Sequence, residues 1–197
     1  MKRLSFVVIA IALSACSVKS VGPVTVPLQY KTMAAPAEFP SLTCAAIAGI
    51  EVRDAREDKS VIGTRALQES PSQKANVMSS GDVEAWVRSG LEAALKQGGA
   101  KVGQAGAPTL VVTLDSIKTD ESAYHRSQYD GRVALTTSLR GGGGECWKET
   151  GDGFSENYGY AGSAENYQET LNHALDRATI KLLGSAAFKK AACGGCP

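Results

Sequence analysis

Thr109-Leu110-Val111-Val112-Thr113-Leu114-Asp115-Ser116-Ile117-Lys118 is the stretch on which the fold turns. Leu110, Val112 and Leu114 fall on one side, Thr113 and Asp115 on the other. That period of two belongs to a strand with one covered face and one wet face. Arg132–Arg140 repeats the pattern: Val133, Leu135 and Leu139 point in, while Arg132, Thr136, Ser138 and Arg140 point out. Gly141–Gly144 supply a turn, and Cys146 to about Tyr160 reads as a last, more polar strand. Three consecutive half-covered strands predict an antiparallel meander.

Outward from this meander the period changes to that of a helix. Upstream, Asp82 to Gln97 places Val83, Val87, Leu91, Ala94 and Leu95 on one face with Trp86 beside them. Asp82 suits the cap and Gly98-Gly99 the exit. Before it, the alternation of Ala46, Ala48, Ile50 and Val52 gives a first strand ending near Asp54-Ala55-Arg56. Residues 57–80 read as a polar excursion with a small hairpin near Val61–Leu67. Downstream, a second helix starts near Asn166, with Asn166 and Glu169 at capping-box spacing. Its apolar stripe is Tyr167, Leu171, Ala174, Leu175, Ala178 and Leu182, and it ends at Gly184 or runs on to Lys190. The order β-α-β-β-β-α predicts an α/β (α+β) two-layer sandwich. Its sheet is mixed and mainly antiparallel, with two helices on one face.

The amino terminus is a targeting segment. Lys2 and Arg3 precede the apolar run Leu4–Leu13, interrupted only by Ser5. This run is shorter than the about 20 residues a membrane span needs. It leads into Leu13-Ser14-Ala15-Cys16, which resembles the lipobox of bacterial lipoproteins. That resemblance implies cleavage between Ala15 and Cys16 and a lipid on the Cys16 sulfur. With Ser17 rather than Asp after it, the same resemblance implies the outer membrane, with the inner membrane as the alternative. The expected organisation is a signal peptide at 1–15, then the lipidated Cys and a tether at 16–44. The tether is rich in proline (Pro23, Pro27, Pro36, Pro40). A single α/β domain at 45–190 and a Cys-containing tail at 191–197 complete the expected chain.

Without residues 1–15, nineteen basic side chains face twenty acidic ones, a formal charge of −1. No basic excess is left to neutralise a phosphate backbone, which argues against nucleic acid as a partner. Once Cys16 is committed to lipid, Cys44, Cys146, Cys193 and Cys196 remain for two disulfides in an oxidising compartment. Three pairings are open. The positions favour Cys44–Cys146, at two strand starts, and Cys193–Cys196, close in sequence. A redox role for Cys193-Gly194-Gly195-Cys196 is disfavoured, because redox pairs open a helix and this one follows one. Pro197 stands where haem attachment would need His.

Catalytic groups are scarce. His173 falls beside the buried stripe of the second helix, and His125 lies in a turn. Gly141–Gly144 lack the Lys-Ser/Thr of a phosphate loop. Asp152, between Gly151 and Gly153, lacks the further carboxylates of a calcium loop. Asp54 and Arg56 could bind a ligand, although a strand-end ion pair is the plainer role. No catalytic residue, metal site or cofactor other than the covalent lipid is expected.

Over residues 45–185 the pattern resembles the YajG-like lipoproteins of the bacterial envelope. The resemblance rests on Asp54-Ala55-Arg56, on Ile62-Gly63-Thr64-Arg65 and on the helix ending in Gly98-Gly99. It rests also on strand Leu110–Ile117 and on Gly162-Ser163-Ala164 leading into a helix with Asn172 and Leu175. It implies an envelope lipoprotein without assigned enzyme activity, with Asp54, Arg56, Gly63 and Arg65 as a binding or structural motif. The implied partners are membrane lipid, through the anchor, and an envelope protein. The expected contact surfaces are the polar sheet face and the 57–80 excursion. Lipoproteins that accompany ABC-type lipid transporters share a similar order of elements. That second resemblance implies a lipid held between helix and sheet, where small Ala and Gly residues cluster.

Overall fold

A computed structural model describes residues 22–67, 70–122 and 126–196. The central strand is the opening stretch, extended to β7 (Thr109–Glu121). Leu110, Val112 and Leu114 are fully buried. It pairs antiparallel with β8 (Ser127–Gly141), and β8 pairs antiparallel with β9 (Gly144–Gly159). β7 and β8 each run several residues past their sequence-read ends. On its other side β7 has two parallel neighbours in succession. These are β3 (Ile50–Asp54) beside Leu110–Leu114 and β4 (Val61–Leu67) beside Thr119–Glu121.

The 57–80 stretch is not a loop. β4 turns back as β5 (Ser70–Ser79), and the pair extends the main sheet. Sequence reading saw only a small hairpin because β5, with Ser70, Ser72, Gln73, Lys74 and Asn76, is mostly wet on both faces. The outermost strand is β1 (Val24–Val26), parallel to β5. A second, two-stranded sheet joins β2 (Ala46–Ile47) to β6 (Lys101–Val102).

The helices cover one face of the main sheet. α1 (Val83–Gln97) starts at the Asp82 cap, whose carboxylate accepts from the Ala85 N–H at 2.9 Å. It exits through Gly98 and the left-handed Gly99. α2 (Ala164–Gly184) starts three residues earlier than the capping-box spacing suggested. Its cap is Ser163, and Asn166 supplies the N–H that the Ser163 hydroxyl accepts at 3.3 Å. A third helix, α3 (Ala186–Gly194), follows Ser185 and takes in part of the expected tail. It packs against β2 and β9, with Phe188 edge-on to Trp147 at 5.1 Å.

Glycines set how closely α2 lies on the sheet. Gly131, Gly151, Gly153 and Gly159 all face α2. A Cβ on Gly153 would overlap the Ala174 carbonyl oxygen, and one on Gly131 would stand 2.8 Å from Thr170 Cγ2. Gly151-Asp152-Gly153 is therefore a strand segment that admits a helix backbone. Asp152 lies exposed between the two glycines and pairs with Lys181 at 2.6 Å.

Residues 24–42 do not form the expected free tether. Val24, Val26, Leu28, Phe39 and Leu42 are buried in the common core. Asp176, inside the α2 stripe, accepts from the Tyr30 hydroxyl (2.6 Å) and from the Met33 and Ala34 N–H groups (2.7 and 2.8 Å). Burial, and then this carboxylate, push the Tyr30 phenol far above its usual range. Asn172 completes the fastening: its Oδ1 accepts from the Trp86 indole at 2.8 Å and its Nδ2 donates to the Gln29 carbonyl.

Candidate functional site

Three groups of residues stood out in the sequence: the Asp54–Arg56 pair, the Gly63–Arg65 segment and the cysteines. Asp54 ends β3, and Arg56 folds back onto it. Arg56 Nε and Nη2 donate to the two Asp54 oxygens at 2.9 and 2.7 Å. The remaining guanidinium hydrogen bonds go to the Val61 carbonyl at 2.8 Å and the Lys59 carbonyl at 2.9 Å. Both side chains are buried. Burial raises the Asp54 pKa, but the Arg56 hydrogen bonds and charge outweigh it and hold the carboxyl below its usual range. The guanidinium is thus committed to closing the 55–61 turn, where it leads the chain from β3 into β4.

Gly63 and Arg65 serve a second cluster. A Cβ on Gly63 would overlap the Thr119 carbonyl, so only glycine allows β4 to lie this close to β7. Arg65 is buried, and its Nε stands 3.2 Å from Glu121 Oε2. The same carboxylate oxygen accepts from the Tyr167 hydroxyl, and Oε1 accepts from the Gly162 N–H at 2.9 Å. Beside it, the Tyr129 hydroxyl donates to the Tyr160 carbonyl and accepts from the Ser163 N–H at 3.3 Å. The two tyrosine rings meet edge to face at 4.8 Å. Burial, followed by the Glu121 carboxylate, drives the Tyr167 phenol far above its usual range. This network ties the ends of β4 and β7 to the turn 160–163 and the start of α2. Glu121, Tyr129 and Asp176 were missed in the sequence. A carboxylate inside the α2 stripe was the one signal that could have revealed Asp176.

The favoured disulfide pairing is corrected. Cys44 bonds to Cys193, and Cys146 to Cys196. Cys193 lies in the last turn of α3, beside Cys44. Beyond it, Gly195 (φ +82°) turns the chain so that Cys196 reaches β9. Cys146 is the extra residue of a bulge between the Leu139–Trp147 and Arg140–Glu145 pairs. Both disulfides fasten the carboxy-terminal end of α3, one to Cys44 ahead of β2 and one to Cys146 on β9. Cys193 and Cys196 therefore do not form the dithiol unit that a redox reading needs.

Ala15 and Cys16 lie outside the described residues, as does His125. His173 is half-buried on α2. Among the described residues no cluster of three or more His, Cys, Asp or Glu could hold a metal ion. No helix there is long and apolar enough to cross a membrane.

Two features remain accessible. Among the described residues β9 has a strand neighbour on one side only, β8. Its outward row carries Lys148, Thr150, Asp152, Phe154, Glu156 and Tyr158, all exposed. Arg132 stacks over Phe154 at 4.6 Å. At the end of β9, Arg126, Tyr158, Gly159 and Tyr160 line a concavity of about 450 Å³.

No protein-family model matches the chain, and no curated protein matches it. Solved structures do. The crystal structure of a Xanthomonas campestris protein of the family model DUF330 matches with a TM-score of 0.53 at 11% identity, over 85% of this chain and 94% of that one. A second, described as an uncharacterized protein, has a TM-score of 0.39 at 10% identity, over 79% of this chain and 96% of that one. The chain has the mixed α+β fold of the Xanthomonas protein, and at this identity the likeness is one of fold.

Proposed function

We propose that the chain is a lipid-anchored protein of the bacterial envelope with a non-catalytic binding or structural role. The anchor reading comes from Leu13-Ser14-Ala15-Cys16 and from the resemblance to YajG-like lipoproteins. Two disulfides between remote segments fit the oxidising periplasm. Ser17 after the lipidated Cys favours the outer membrane. Asp54, Arg56, Gly63 and Arg65 have their chemistry committed inside the fold, which supports a structural reading of that motif.

The observation that carries the binding role is the edge of β9, which beyond Cys146, where Cys196 is fastened, has no second strand neighbour among the described residues. A strand edge offers unpaired backbone donors and acceptors to another chain. The three-residue β1 at the opposite edge offers few. A photo-crosslinking residue at Lys148 on β9, installed in intact cells at native expression, is expected to give a discrete adduct. The same residue at Lys96 on α1 is expected to give none. Equal adducts at both sites, or none at Lys148, contradict the proposal.

The alternative, a lipid held between helix and sheet, draws less support. Its motivation was the row of small residues, and α2 itself fills that row, down to the contact of Gly153 with Ala174.

A further inference from the structure

We infer that the end of the sheet bearing Tyr158 and Tyr160 rests on the surface of the lipid bilayer and sets the standing orientation of the domain. The inference builds on the anchored-lipoprotein reading and adds a direction to it.

Register across the sheet places this end. Val24 pairs with Val77, Val77 with Gly63, Gly63 with Thr119, Thr119 with Gly131 and Gly131 with Ser155. Val24 thus stands level with Ser155. β1 runs opposite to β9, so the chain preceding Val24 leads towards the end that carries Tyr158 and Tyr160. From Cys16 to Val24 there are eight residue steps, no more than about 29 Å when fully extended. Strand β8 alone, from Ser127 to Gly141, is roughly 46 Å long. The link to the anchor is shorter than the sheet and leaves it at the tyrosine end.

The side chains at this end suit a headgroup layer. Tyr158 is 58% exposed and Tyr160 90% exposed. With Phe154 they are the exposed large hydrophobic residues of the described chain. A tyrosine ring has an apolar body and a polar tip, and so favours the interface between lipid and water. Arg126 shares their concavity and offers a planar donor to a lipid phosphate. Tyr160 is also held by its backbone. Its carbonyl accepts from the buried Tyr129 hydroxyl and from Asn166 Nδ2 at 3.2 Å. The next turn is tied to Glu121 through Gly162. A fixed backbone presenting an almost fully exposed ring is arranged for contact outside the fold. The opposite end of the sheet, at the turn 141–144, has glycines in place of aromatic rings.

The test uses the full-length acylated protein in phosphatidylcholine–phosphatidylethanolamine vesicles whose acyl chains carry bromine, a short-range quencher of tryptophan. Tyr160→Trp and Gly142→Trp place probes at the two ends, and the emission of the parent, from Trp86 and Trp147, is subtracted. A Cβ at Gly142 meets open space, and thermal unfolding of both variants confirms the fold. Trp at 160 is expected to lose most of its emission relative to vesicles without bromine, while Trp at 142 keeps its own. No loss at 160, or equal loss at both ends, overturns the inference. The mass of the amino-terminal peptide separates the two readings. An unacylated Cys16 refutes the anchor itself, whereas an acylated protein with an unquenched Trp at 160 refutes only the orientation.

Discussion

The ionisation of Asp54 is coupled to the fold through its pairing with Arg56. Its folded pKa lies below its unfolded value of about 3.9. It therefore contributes stability above that pH, and the contribution is lost as pH falls through the folded pKa. Asp120 acts in the same sense: burial raises its pKa, but Lys118 and Thr64 outweigh this and lower it overall. Asp54→Asn is expected to lower stability near neutral pH and to flatten the decline below about pH 4. Urea midpoints measured across that range check this, and parallel curves for parent and variant contradict it. Gly153 makes a second residue-level case. Gly153→Ala forces a methyl into the Ala174 carbonyl and is expected to cost about 3 kcal/mol. Equilibrium unfolding reads that loss, and a neutral substitution would mean that α2 does not lie directly on β9. In the sequence Gly151-Asp152-Gly153 lacked the carboxylates of a calcium loop and fell in the last strand, but nothing showed that a helix lies on it. Glycine spacing alone does not distinguish a turn from a strand under a helix, because both need the missing side chain.

At the scale of elements, strong amphipathic periods were the legible part. The apolar stripes of α1 and α2 and the apolar residues of β7 and β8 are buried as their spacing implied, but Ser138, expected to point out, is buried too, where the β8–β9 register shifts next to Leu139. Elements without a clean period were not legible. β5 is mostly wet and buries only Val77, β1 is three residues long, and α3 holds only nine residues. The segment 24–42 looked like a tether because its prolines break any period, yet Asp176 and Asn172 clasp it to the helices. The disulfides depended on α3, which sequence reading had not separated from α2, and so their pairing was misjudged. Peptide mapping without reduction is expected to give Cys44–Cys193 and Cys146–Cys196. A Cys193–Cys196 bridge would contradict the placement of α3. Closing loops with sequence separations of 149 and 50 residues contributes at most about 5 and 4 kcal/mol in the chain-entropy picture. Replacing Cys44 and Cys193 together by Ala is expected to cost about 2–5 kcal/mol in unfolding free energy, with acylation unchanged.

For the whole molecule, the residues proposed to carry lipid and the residues that build the fold are separated by a short link. The described body begins at β1, not near Cys44, so the proposed anchor would hold the domain closer than a tether to residue 44 would allow. The proposed membrane attachment rests on the first sixteen residues alone, because a targeting segment is defined by composition and order and not by packing. The edge of β9 proposed for contact was not legible there, because an edge exists only once strand order is known. The anchor, and the orientation inferred from it, depend on the sulfur of Cys16. Metabolic labelling with a fatty-acid analogue, comparing the parent with Cys16→Ser, tests that dependence most directly. The parent is expected to carry the label on its amino-terminal residue, and Cys16→Ser to remain an unlabelled, unprocessed precursor. Equal labelling of the two, or a parent with a free Cys16 thiol, would contradict the account.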